Sequence, residues 1–295
     1  LGLGRSGLAA VAALKAAGAH VFAFDDVKTQ QDIPQITLTN WCDWPWNELE
    51  AMVISPGIPH NYPTPHPAAA HANFHEISII SEVELALRAK PKARLVAITG
   101  TNGKSTTTAL IGHCLQTAKY PVAIGGNLGN AACSLDDPGE HGTLVLELSS
   151  YQLETTPSLK TSISILLNIS PDHLDRHGGM AGYIAAKALI LERLEKSGLA
   201  IIGAGDEHVK SLAKVTAAKG IKTMIASPDL APVNQKASTS LAGTHNAENA
   251  AAAALALYAL GLDDQMINRG ISSFTSLPHR LQPVACCGKV RFIND

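Results

Sequence analysis

Leu95-Val96-Ala97-Ile98-Thr99, then Gly100-Thr101-Asn102-Gly103-Lys104-Ser105, then Thr106 onward, is the stretch on which the fold turns. Five apolar or β-branched residues read as a buried strand, and the run beginning at Ser105 reads as a helix. The six residues between them form a glycine loop. In such a loop the backbone N–H groups cradle nucleotide phosphates, the lysine neutralises the β and γ oxygens, and the serine hydroxyl faces Mg²⁺. The strict pattern places a further glycine five positions before Gly103, where Ile98 stands, so this is a shortened P-loop. ATP is the expected ligand.

On either side of this loop, short apolar segments alternate with helical ones. Strands are expected at His20 to Phe24, Ala51 to Ile54, Thr143 to Leu148, Ser162 to Leu167, Leu199 to Ile202 and Ile221 to Ile225. Helices are expected at Gly7 to Ala17, Ser105 to Thr117, Met180 to Glu195, Glu207 to Ala218 and His245 to Leu260. That alternation predicts an α/β fold with mostly parallel sheets. A chain of 295 residues is long enough for two domains at about 150 residues each. A boundary is expected near Ser81 to Lys92, after a stretch crowded with Pro and His. This gives a Rossmann-like domain over 1–84, a P-loop-type domain over 85–279 and a linker over 280–295.

The N-terminal domain carries a second glycine motif, Gly2-Leu3-Gly4-Arg5-Ser6-Gly7. It fits G-x-G-x-x-G, with Asp25 about 20 residues on where a ribose is held. Taken alone it fits NAD, another diphosphate-bearing ligand, or a strand-to-helix turn that binds nothing. A dehydrogenase, however, has no use for the P-loop. A small kinase has no use for a separate diphosphate domain. An enzyme that grips a nucleotide-linked substrate with one loop and consumes ATP with the other uses both.

Composition excludes several classes. With 23 Lys+Arg against 25 Asp+Glu, nothing marks a nucleic-acid or membrane-surface binder. Five scattered cysteines make no disulfide framework or Cys-x-x-Cys site, which fits a reducing cytoplasm. The apolar run from Gly7 to Leu14 superficially imitates a secretion signal but meets Lys15. The run Ala250 to Leu260 is shorter than the roughly 20 residues that cross a bilayer.

Polar clusters close several strands: Ser55-Pro56-Gly57-Ile58, Gly125-Gly126-Asn127-Leu128-Gly129, Glu147-Leu148-Ser149-Ser150 and Asn168 through Asp175. Asp172 and Ser149 also read as helix caps, and His173 as a structural histidine. Glu147 differs, because a carboxylate that closes an apolar strand needs a cation or donors.

In these motifs, together with Asp-His-Leu-Asp-Arg-His, Tyr-x-x-Ala-Lys, Gly-Thr-His-Asn-x-x-Asn and Leu-Pro-His-Arg, the chain resembles the Mur ligases, ATP-dependent amide-forming ligases of peptidoglycan precursor synthesis. The resemblance runs through nearly the whole chain in the family's order. Ser-Pro-Gly-Ile and Glu-Leu-Ser-Ser-Tyr-Gln-Leu-Glu point within it to D-glutamate as the added amino acid and UDP-N-acetylmuramoyl-L-alanine as the acceptor. The resemblance implies that Gly4, Arg5, Ser6, Gly7, Asp25 and Ser55 hold the uridine diphosphate end, with Asn127 and His173 near the muramoyl-alanine end. It implies ATP binding by Gly100, Thr101, Asn102, Gly103, Lys104, Ser105, Thr106 and Thr107, with Asn246, Asn249, Arg280 and Asp295 completing the site.

Two Mg²⁺ ions are implied, one on Ser105 and Glu147 and the other on His173 and on Lys187, the lysine that is carbamylated in the family. An ammonium cannot ligate Mg²⁺, whereas a carbamate offers the hard oxygens it prefers. Without the resemblance Lys187 reads as a solvated helix residue. Lys104, Glu147, His173 and Lys187 are the expected catalytic set. Val27 stands where an arginine near the uridine is expected. The family also implies a third domain that brings D-glutamate and begins where this chain stops, so the fragment alone is expected to be inactive. A monomer without nucleic-acid or membrane partners is expected. A sibling Mur-type or folylpolyglutamate-type ligase and a non-catalytic nucleotide-binding module are the alternatives.

Overall fold

A computed structural model describes residues 1–89, 91–127, 129–232, 239–275, 282–287 and 290–294. The first unit opens with Leu1 to Gly4 and helix α1 (Arg5–Ala16). It continues through β1 (Ala51–Val53), α2 (Pro67–Phe74) and β2 (Ser78–Ile80), with β1 and β2 parallel. The expected strand at His20 to Phe24 does not form as such: only Ala23 makes a bridge, to Leu38. The segment is nonetheless extended beside the N-terminus. Backbone N–H groups of Thr39, Gly2, Ser55 and Ile54 donate to the carbonyls of Ala23, Phe24, Leu1 and Ile80. These bonds order the extended segments 38–39, 23–24, 1–2, 53–55 and 80 across one surface. In chain sequence that is 3-2-1-4-5, the order of the first five strands of a Rossmann sheet.

Helix α3 (Glu82–Arg88) leads into a six-stranded sheet. Its strands are β3 (Arg94–Thr99), β4 (Val122–Gly126), β5 (Thr143–Glu147), β6 (Thr161–Leu166), β7 (Leu194–Gly203) and β8 (Lys222–Ala226). The spatial order is β4-β5-β3-β6-β7-β8, and every pairing is parallel. Both faces are covered, so successive residues of one strand enter different cores. Val96 and Ile98 meet Leu110, Ile111 and the alanines of the eighth helix. Leu95 and Ala97 meet Leu146, Ile190 and Val209. This is why β3 reads as a continuous apolar run rather than an alternating one.

The covering helices are α4 (Lys104–Thr117), α5 (Ser150–Glu154), α6 (Met180–Glu192), α7 (Glu207–Ala218), α8 (Thr244–Ala259) and α9 (Asp264–Ser273). An antiparallel pair, β9 (Gln282–Cys287) and β10 (Val290–Asn294), follows. Among the described residues no helix is long and apolar enough to cross a membrane.

The connectivity fixes where a ligand can sit. From β3 the chain passes through α4 to the edge strand β4 and returns to β5, whereas β6 lies on the other side of β3. The carboxyl end of β3 is therefore a switch point, the crevice in which open α/β sheets bind ligands. The loop at residues 100–103 stands there.

Candidate functional site

Gly103 is the residue before α4 and has φ +82°, in the left-handed region. A Cβ there would lie 2.2 Å from Oδ1 of Asn249. Position 103 therefore requires glycine twice over, for its conformation and for the close approach of α8. Asn249 is buried, and its Nδ2 donates to Oδ1 of Asn246, 3.2 Å away. Asn249 thus stands against the loop and holds Asn246 beside it. Arg280 and Asp295 lie outside the described residues.

The loop is fastened to the segment leaving β6. Thr101 N–H donates to the Asn168 carbonyl, and Asn102 N–H to Asn168 Oδ1 (2.8 Å). Lys104 Nζ donates to the carbonyls of Gly100 (3.0 Å) and Thr101 (2.8 Å). Lys187 reaches the same Gly100 carbonyl from α6, at 2.7 Å. It is 2% exposed, and its Nζ sits 4.7 Å from the centre of the Tyr183 ring. Burial above all, and then the nearby Lys104, push its pKa down to about 7 against the opposing pull of Asp172 and Glu147. Far from being a solvated helix residue, Lys187 is a buried amine that loses its proton near neutrality.

Glu147 ends β5, in register with Ile98 of β3 and Gly126 of β4. It is 1% exposed; Oε1 accepts from Asn127 Nδ2 at 2.8 Å, whereas Oε2 is buried without a hydrogen-bond partner. A buried carboxyl oxygen left without a donor is what a hard cation needs beside a nucleotide loop. Hence the residues present fit a Mg²⁺ ion at Glu147. His173 is placed differently. Its side chain is 58% exposed, has φ +50°, and stands 3.5 Å from Asp172. Among the described residues no three His, Cys, Asp or Glu side chains gather at metal-binding distances.

The glycine loop of the first unit borders a cleft of about 440 Å³ lined by Gly4, Arg5, Ser6, Asp25, Ser55 and Asn127, among others. Ser55 Oγ donates to the Gly2 carbonyl (2.9 Å). A Cβ on Gly7 would fall 1.9 Å from that same carbonyl oxygen, so α1 begins in contact with the strand before it. Asp25 accepts from three backbone N–H groups, those of Leu3, Val27 and Lys28. Burial works to raise its pKa, but those bonds outweigh it and hold the carboxyl below its usual range. Both Asp25 oxygens are thus engaged in closing the loop. Asp26, also on the cleft wall, accepts from His66 Nε2 at 3.1 Å.

Asn127 connects the two sites. Arg5 donates to its carbonyl at 3.0 Å, its N–H donates to the Glu147 carbonyl, and its side chain holds Glu147 Oε1. Arg176 makes a second link between the units, donating to the Gly57 carbonyl (2.9 Å) while lying 4.5 Å over the Tyr151 ring. Sequence reasoning assigned no role to Arg176, Asn168 or Tyr183. Tyr183 touches Lys187 on one side and Thr101 Oγ1 (3.1 Å) on the other. A signal existed, since positions 183 and 187 are four apart and share a helix face.

The Mur ligase middle domain matches residues 98–231. The whole chain aligns at 41% identity with 68% of the UDP-N-acetylmuramoylalanine–D-glutamate ligase of Rhodospirillum rubrum. It aligns at 42% identity with 68% of the enzyme of that name from Sphingopyxis alaskensis. Among solved structures, it is similar to the UDP-N-acetylmuramate:L-alanyl-gamma-D-glutamyl-meso-diaminopimelate ligase from Neisseria meningitides. That match has a TM-score of 0.61 at 17% identity, over 94% of this chain and 97% of the other. A murein peptide ligase from Psychrobacter arcticus matches with a TM-score of 0.59 at 18% identity, over 99% and 71% of the two chains.

Proposed function

The chain belongs to the Mur ligase family, and from that premise we propose how its residues divide the work. The protein is an ATP-dependent ligase that joins D-glutamate to UDP-N-acetylmuramoyl-L-alanine in peptidoglycan precursor synthesis. In the reaction the alanyl carboxylate attacks the γ-phosphorus of ATP, giving an acyl phosphate and ADP. The amine of D-glutamate then attacks the acyl carbon, phosphate leaves and an amide remains.

The site has little covalent work to do; it positions two substrates and spreads charge. The backbone of residues 100–103, with Ser105, Thr106 and Thr107, holds the ATP phosphates, and Lys104 turns from its loop carbonyls to meet them. Glu147 and Ser105 would hold a Mg²⁺, which neutralises charge on the transferring phosphoryl group. Lys187, neutral for part of the time near pH 7, is suited to reaction with CO₂. The resulting carbamate, with His173 turned inward, would hold a second Mg²⁺. Asn246 and Asn249 bound the nucleotide from α8. In the cleft the backbone from Gly4 to Gly7 receives the diphosphate, Arg5 supplies positive charge, and Asp25 and Ser55 keep the loop in shape. The reading includes a substrate unit over 1–84, an ATP unit over 85–279, and a cytoplasmic monomer with no membrane or nucleic-acid partner.

The observation that carries this reading is Asn127. It is at once a wall of the diphosphate cleft and the hydrogen-bond partner of the carboxylate beside the ATP loop. Calorimetry tests it, titrating UDP-N-acetylmuramoyl-L-alanine, with UDP-N-acetylmuramate and NAD as controls. Binding that requires the alanyl group is the expected result. A preference for NAD, or no binding at all, would overturn the assignment of the cleft.

A further inference from the structure

A cluster that the reaction does not use lies on the first unit, at the C-terminal end of α2, where His75 is the cap residue. Its sequence, His71-Ala72-Asn73-Phe74-His75, places two histidines four residues apart, on one helix face. Their Nε2 atoms are 3.2 Å apart. Two nitrogens bound to one metal at about 2.0–2.1 Å are separated by about 2.9 Å when cis at a right angle and about 3.4 Å at the tetrahedral angle. The observed spacing falls between these values with no rearrangement of the helix.

The protonation pattern agrees. Oδ1 of Asn47 can only accept, and it lies 3.2 Å from Nδ1 of His75. Nδ1 therefore carries the hydrogen, and Nε2 of His75 presents a lone pair to the shared space. A hydrogen bond from the second ring nitrogen to a fixed acceptor is how metal-bound histidines are oriented. The rings are also held by neighbours: Trp46 lies 4.7 Å from His71 and 6.1 Å from His75, and Trp41 lies 6.1 Å from His71. Both histidines are half-buried, leaving an open side for water ligands.

We propose that His71 and His75 form a site for a divalent transition-metal ion of the Cu²⁺, Ni²⁺ and Zn²⁺ class, with water completing the coordination. On binding, the metal takes the place of the hydrogen between the two Nε2 atoms, and that hydrogen moves to Nδ1 of His71, so that both imidazoles bind as neutral ligands. Imidazole nitrogens favour these ions, with Cu²⁺ held more tightly than Ni²⁺ or Zn²⁺. Mg²⁺ and Ca²⁺ want oxygen ligands and should not bind here, so the site is separate from the one at Glu147.

The chain's three tryptophans, Trp41, Trp44 and Trp46, all belong to this neighbourhood and provide the readout. Cu²⁺ titrated into the metal-free protein should quench tryptophan fluorescence saturably at one equivalent. His71→Ala should weaken that effect more than about tenfold, and Asn47→Ala roughly tenfold by freeing the His75 ring. Circular dichroism confirms that each variant is folded. For a variant that is not, the electron paramagnetic resonance of Cu²⁺ on the wild-type protein, showing two coordinated nitrogens, decides the matter. Absence of saturable quenching in the wild type would overturn the proposal, as would equal quenching in folded His71→Ala. Substrate binding in the cleft is read separately and does not depend on either result.

Discussion

Replacing Lys187 with methionine should remove a pH dependence from the stability of the fold. In the folded chain the amine is 2% exposed, and its pKa falls from 10.5 to about 7. At about 1.36 kcal/mol per unit, keeping it charged in the interior disfavours folding by roughly 5 kcal/mol. Between pH 7 and pH 10.5 the unfolded chain holds this proton and the folded chain does not. Stability therefore rises with pH through that window and is fully penalised below it. From pH 7 to pH 9 the wild type should gain on the order of 2 kcal/mol from this group alone.

The absolute effect of the substitution at pH 7 is smaller than the penalty it removes. Methionine also discards the bond to the Gly100 carbonyl and the contact with Tyr183, together about 2–4 kcal/mol. The decisive quantity is thus the difference between two slopes. Urea unfolding of wild type and Lys187→Met at pH 7, 8 and 9 measures it, and other titrating groups cancel between the two proteins. Parallel curves would refute the reasoning and would mean that the group does not lose a proton in this window.

Three further outcomes are expected. Gly103→Ala should lower stability by more than about 1 kcal/mol through its left-handed backbone alone. The contact with Asn249 adds to this, and both the urea midpoint and ATP affinity should fall. Asn127→Ala leaves a buried carboxylate oxygen unbonded and should destabilise by about 1–3 kcal/mol; phosphate release by the ligase should drop with it. Asp25→Asn loses the ionised acceptor of three N–H bonds. As pH falls below the ordinary carboxylate range the wild type should weaken more steeply than the variant, which keeps only its other acidic groups such as Asp32 and Asp137, an effect read as acid-induced loss of tryptophan fluorescence.

The P-loop and its sheet were legible in the sequence because the signals there are local. A buried run, a glycine loop and a helix start follow one another within a dozen residues, and the observed β3 and α4 agree to within a residue. Helix α2 was hidden by its prolines. Pro67 opens the helix rather than breaking it, since its missing N–H falls where no partner is needed and His66 caps the turn. The segment His20 to Phe24 has the composition of a strand but the hydrogen bonds of only a bridge. The state of Lys187 was out of reach without the fold, because a carbonyl 87 residues away supplies its partner.

Asn127 also bears on which molecules the enzyme accepts. One residue's amide groups set the span between the glycine loop of the first unit and the carboxylate beside the P-loop. On the proposed function, an acceptor is then selected by its reach as well as by its groups. A molecule too short to bridge the two loops would occupy one end, leave the γ-phosphate unattacked, and block the site without being converted.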